Sequence, residues 1–153
     1  KTFFQGIGKE FIKLLENTNM TKVYKMPVLM AFYNHGDVRM EVTETEFLAS
    51  WKEFFSTGTN WKDLDTGITY ERYCKISDKD HIKRIIKMPV NFLVKSGKGF
   101  FVKKEDSALT LRNEMKEIIK NPVLAEQMKD VIEYRAMDYY QRRYKEQMTG
   151  LLQ

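Results

Sequence analysis

The 25 residues from Val123 to Gln147 contain neither proline nor glycine. They follow Asn121-Pro122, and proline is well suited to the first position of a helix, where its missing N–H would have no partner anyway. This stretch predicts the longest helix of the chain. It carries Tyr134, Arg135, Tyr139, Tyr140, Arg142, Arg143 and Tyr144. Arg135 and Arg142 are seven residues apart and so share a face. Core packing explains the tyrosines most simply. A guanidinium stacked on tyrosine or touching a phosphate is the sharper reading.

The other two prolines, Pro27 and Pro89, both sit in the sequence KMPV, at Lys25–Val28 and Lys87–Val90. After Pro27 comes an apolar run that ends at Gly36. Proline at the start and a glycine at the end predict a short buried helix from Pro27 to about His35, with a strand as the competing reading of so short a run. The second copy starts 62 residues after the first. A degenerate two-unit repeat and a coincidence of four residues remain equally open.

Further helices are signalled by caps and periodicity. Phe11, Ile12, Leu14 and Leu15 form one face of a helix over residues 5–17. In TETE, Thr43 and Glu46 have the spacing of a capping box and open a helix that Gly58 ends. Residues 57–67 read as a polar loop. Ser77, followed by Asp78 and Asp80, opens a helix to about Lys87 that Pro89 breaks or kinks. Residues 37–42 alternate as a short strand does. The SGKG at Ser96–Gly99 is a turn before a strand in FFVKK. Residues 107–119 read as helix. The fold expected is mainly α, a compact helical domain with one or two short β-hairpins. The first half also suits helix-turn-helix or winged-helix-like units. The whole chain, 1–153, reads as a single accessory domain, with 1–66 and 67–153 as candidate subunits. Because it begins at Lys1, it reads as a fragment of a larger protein.

Composition narrows the chemistry. The chain is 42% hydrophobic and 31% charged, with a net charge of +5. A lone Cys74 allows no internal disulfide and fits a reducing cytoplasm. No apolar stretch approaches the ~18 residues of a membrane span, so no membrane partner is expected. The two histidines and the cysteine have no metal-ligand spacing. GKG at Gly97–Gly99 lacks the frame of a phosphate loop. No catalytic, cofactor or metal site is expected.

The charge is uneven. Residues 71–104 hold ten Lys/Arg against three acids, a net +7. Tyr70, Tyr73, Phe92, Phe100 and Phe101 are interleaved. Cations on backbone phosphates beside stacking rings are one way to hold a single strand. The expected nucleic-acid contacts are Lys83, Arg84, Lys87, Lys95, Lys98, Lys103 and Lys104, with Arg142 and Arg143 as a second group. A winged first half would place the contacts at Lys22, Lys25 and Lys52 instead.

The segment MTKVYKMPVLMAFYNHGDVRMEVTETEFLASWKEFF resembles one near the C-terminus of bacterial, Firmicutes-type DEAD/DEAH superfamily 2 helicases. KMPVNFLVKSGKGFF and NPVLAEQMKDVIEYRAMDYYQRRY are similar to the closing segments of the same proteins, so the resemblance covers residues 20–144. It implies a non-catalytic accessory domain of a DNA helicase-like ATPase, with DNA and the rest of the parent helicase chain as partners. The motor's phosphate loop and acidic Mg²⁺ motif are absent from this chain. Similar stems occur beside nuclease domains of restriction and HNH-type proteins, so a DNA-binding domain of such a nuclease is one alternative. A protein-interaction domain packed on its parent or on a partner is the other.

Overall fold

The Thr43 side chain accepts a hydrogen bond from the Glu46 N–H at 3.2 Å, and the Glu46 carboxylate accepts one from the Thr43 N–H at 3.0 Å. This capping box starts a helix at Glu44. Single side-chain caps start others, among them Thr69, which accepts from the Arg72 N–H. Ser77 accepts from the Asp80 N–H, and the Asn121 side chain accepts from the Val123 N–H beside Pro122. Each satisfies a donor that the first helical turn leaves without a partner.

The computed structural model describes residues 6–20, 22–34, 36–105 and 109–152. In chain order the elements are α1 (Ile7–Asn17), α2 (Lys25–Met30), β1 (Tyr33–Asn34), β2 (Asp37–Val38), β3 (Glu41–Val42) and α3 (Glu44–Ser56). After a 3₁₀ turn at Asn60–Asp63 come α4 (Tyr70–Cys74), α5 (Asp78–Ile85), α6 (Asn91–Ser96), β4 (Phe101–Val102), β5 (Leu109–Leu111), α7 (Met115–Ile118) and α8 (Pro122–Leu152). The chain is mainly α, with short antiparallel strands. β1 and β2 form a hairpin, and β5 lies between β3 and β4 in a second sheet.

Four local expectations need correction. The first apolar helix ends at Met30, not at about His35, and Pro27 is its third residue. Proline is tolerated there because the first turn's N–H groups are unpaired in any case. Gly36, at φ +94°, turns the β1–β2 hairpin and does not cap a helix. His35 lies outside the described residues. Second, residues 109–111 are strand, not helix, and Met115–Ile118 is the helical part of that region. Leu109, Thr110 and Leu111 are all buried, so the strand shows no alternation, and its partner Glu41–Val42 lies far away in sequence. Ser107 is outside the described residues.

Third, the regular α-helix is interrupted around Pro89, but the helical path continues past it. Residues Ile86–Val90 form a widened, π-type turn that joins α5 to α6 and accommodates a residue with no N–H to donate. Fourth, the strand after SGKG ends at Val102, so Lys103 and Lys104 follow it in a loop.

Aromatic rings carry one core across both halves of the chain. Phe11 packs on Phe100 with centroids 5.3 Å apart, and Phe32 on Phe101 at 5.6 Å. Trp51, 0% exposed, packs between the tilted rings of Phe55 at 4.8 Å and Tyr24 at 5.7 Å. The loop at 57–67 joins this core, because Leu64 and Asp63 are buried. The N-terminal half of α8 lies along α1 and α2 and buries Leu124, Met128, Ile132 and Ala136. The division at 66/67 therefore does not separate two cores.

Candidate nucleic-acid interface

The basic segment folds as α4, α5, the widened turn, α6 and β4, and its cations fall into two groups. Lys83, Lys87, Lys95, Lys98, Lys103 and Lys104 are exposed. None of them takes part in an ion pair among the described residues. Arg84 is engaged in the structure. Its guanidinium donates to both carboxylate oxygens of Asp65 at 3.0 Å and to the Leu64 carbonyl at 2.9 Å. The Tyr24 hydroxyl donates to the same carbonyl. Arg84 thus ties α5 to the loop after α3.

The second arginine group divides in the same way. Arg143 donates to Asp63 at 2.5 Å, and the Asp63 side chain is 7% exposed. Its guanidinium also lies over the Tyr140 ring at 5.2 Å. Burial first, and then the Asp63 carboxylate, push ionisation of the Tyr140 hydroxyl far above its ordinary range. Arg142 is exposed and pairs with Asp138 one turn back at 3.1 Å. Arg135 takes the role of a helix cap, donating to the Leu15 and Thr18 carbonyls at the C-terminal end of α1 at 3.1 and 2.6 Å.

The interleaved aromatic residues separate too. Tyr73, Phe100 and Phe101 belong to the core, whereas Tyr70 is 58% and Phe92 48% exposed. The ring available beside the cations of α5 and α6 is therefore Phe92.

The fold also joins residues that the sequence holds far apart. Lys22 and Lys25, from the first half, line one groove of about 350 Å³ together with Met88, Pro89, Phe92 and Lys95. A second groove, of about 410 Å³, holds Arg72, Lys83 and Lys87, and Met88 lies on the wall of both. Asp65 and Asp80 line the second groove as well, so its charge is mixed. Lys52, the remaining first-half cation, is paired with Asp78 at 2.8 Å.

Lys25 is unusual for a lysine. It is 7% exposed, and its ammonium donates to the Thr18 hydroxyl at 3.0 Å and to the Asn19 carbonyl at 2.7 Å. Among the described residues no carboxylate pairs with it. Burial, and next the nearby Arg135, hold its pKa below the ordinary lysine value. The negative end of α1 partly offsets the two cations.

His81, the nearest histidine to Cys74 in sequence, is buried, and its Nδ1 accepts from Trp51. Among the described residues, no three His, Cys, Asp or Glu side chains gather as a metal site requires, and no helix is long and apolar enough to cross a membrane. Comparison with protein-family models, curated proteins and solved structures found no match.

Proposed function

We propose that this domain binds nucleic acid, DNA in the first instance, through the cations of α5, α6 and the loops around β4. It does no chemistry of its own in this reading. It serves as an accessory domain of a DNA helicase-like ATPase, the context that the sequence resemblance implies. One observation carries the reading. Six exposed lysines cluster between residues 83 and 104 with no ion pair among the described residues. A merely solvated surface interleaves both signs, whereas unpaired cations are available to replace the counterions of a phosphate backbone. The phosphate contacts are assigned to the lysines. Arg84 and Arg143 are held by Asp65 and Asp63. Fluorescence anisotropy with labelled single-stranded and duplex DNA at low salt tests this. Binding to at least one of them is expected, and flat anisotropy with both rejects it.

A second reading, a docking domain packed on its parent chain or on a partner, is favoured by α8. Tyr134, Met137, Tyr144 and Met148 are 62%, 52%, 62% and 42% exposed. Their spacing of three, seven and four residues places them on one stripe, away from the buried face of the helix. Light scattering and pull-down with the parent chain, comparing wild type with Tyr134→Lys/Tyr144→Lys, distinguish the two readings. Loss of association with DNA affinity intact supports docking through α8 beside DNA binding, and association of a wild type that binds no DNA supports docking alone.

A further inference from the structure

The groove between the two KMPV segments has a chemistry more specific than general basicity. Met88 and Pro89 of the widened turn, with half-exposed Phe92, give it an apolar lining. Exposed Lys22 and Lys95 and buried Lys25 line it, and no acidic residue does. Arg135 adds further positive charge behind Lys25. Volumes of ~300–1,000 Å³ are typical of small-ligand sites, and this groove lies within that range.

Three features fix the class of occupant. Lys22 and Lys95, exposed and without an ion pair among the described residues, call for an anion. An exposed aromatic face with no aromatic partner among the described residues calls for a flat ring to cover it. A bare inorganic anion would leave the apolar lining of Met88 and Phe92 uncovered. A ring joined to a phosphate satisfies all three.

We propose that this groove receives one unstacked base of single-stranded DNA, its ring against Phe92 and its adjoining phosphate between Lys22 and Lys95. The proposal rests on the nucleic-acid reading above and sharpens it from DNA in general to a single strand. A base within a duplex is paired and stacked on both faces and cannot enter without being extruded. The lysines of α5 and of the loops around β4 then hold neighbouring phosphates. Base stacking on an aromatic side chain tolerates any sequence, so no base preference is expected from Phe92 itself.

The test uses two labelled strands of equal length, a thymidine oligonucleotide and a strand of abasic sites with the same phosphates. Phe92→Ala is expected to weaken the thymidine strand about 5- to 150-fold, the range for losing one stacked base. It should leave the abasic strand within about twofold. Phe92→Tyr keeps the ring and should retain thymidine affinity. Lys95→Gln, a surface change, should weaken both strands. Thermal melting of each variant checks that it folds; if the Ala variant does not, Phe92→Leu, which keeps apolar bulk but no aromatic face, takes its place in the same comparison of thymidine and abasic strands. Equal losses on both strands for Phe92→Ala, or none on either, overturn the base-binding proposal while leaving DNA binding intact. Wild type that binds no strand and no duplex overturns both.

Discussion

Trp51 donates its indole N–H to Nδ1 of His81 across 3.1 Å, and both side chains are buried. The bond requires Nδ1 without a proton, so the imidazole must be neutral in the folded state. Burial holds its pKa below the ordinary 6.5. Lys52 acts in the same direction, Asp78 against it, and Arg84 and Asp80 follow with opposite signs.

A stability change with pH follows. The unfolded chain takes up a proton on His81 at about pH 6.5, while the folded chain resists until lower pH. The contribution of His81 is therefore complete above pH ~6.5 and is lost as pH falls through the depressed folded value. Glu46, Asp78 and Glu114 also have lowered pKa values, so their contributions fade in a separate, more acidic range. Thermal melts between pH 7.5 and about 5 should show a falling Tm in wild type. His81→Gln, which can still accept from Trp51, should flatten that fall. An unchanged slope in the variant assigns the effect elsewhere.

Arg142 and Arg143 are neighbours in sequence with opposite expected behaviour. Arg143→Met strands the buried Asp63 carboxylate. We expect a loss on the order of 2–3 kcal/mol, less than for a fully buried pair because the Arg143 side chain keeps 25% of its exposure. That corresponds to a Tm lower by roughly 5–10 °C for a domain of this size. Arg142→Gln breaks only an exposed pair within α8 and should change stability by less than about 0.5 kcal/mol. Differential scanning calorimetry of the two variants separates them. Equal effects contradict the latch between α8 and the 3₁₀ turn.

The SGKG turn combines a constraint and a cost. A Cβ on Gly97 would lie 2.3 Å from the Leu93 carbonyl oxygen and 2.8 Å from the Phe101 ring. Gly97→Ala should destabilise the fold by about 1–3 kcal/mol, as overpacking does. Lys98 has φ +53°, a left-handed conformation that asparagine adopts more readily than lysine. Lys98→Asn should raise Tm slightly, by up to about 1 kcal/mol of stability, and weaken DNA binding. A variant both less stable and equally tight would contradict the assignment of Lys98 to the interface.

The capping box at Thr43, the Ser77 cap, the Asn121-Pro122 start and the long final helix were legible because each is local chemistry within a few residues. The first strand of the hairpin at Gly36 and the strand at Leu109–Leu111 were not. The first hides in an apolar run too short to show a period. The second is buried throughout and finds its partners only after folding. In the basic segment the excess of charge was visible, but its division was not. Arg84 and Arg143 resemble their lysine neighbours until Asp65 and Asp63 are brought to them. The joining of Lys22 and Lys25 with Lys95 had one faint signal, the recurrence of KMPV. The helix of the first copy packs against the turn of the second, and the groove lies between them.

The most direct test of the account is the salt dependence of single-strand affinity in two triple variants that remove equal charge. Lys83→Gln/Lys87→Gln/Lys95→Gln strips the proposed face. Lys52→Gln/Lys116→Gln/Lys120→Gln strips exposed lysines outside the basic segment. Each phosphate contact contributes about −0.7 to the slope of log K against log salt for a single strand, so the first triple should flatten the slope by about 2 and lower affinity for every sequence alike. The second should leave the slope close to wild type. Equal flattening by both triples, or flattening by the second alone, would contradict a binding face on α5 and α6.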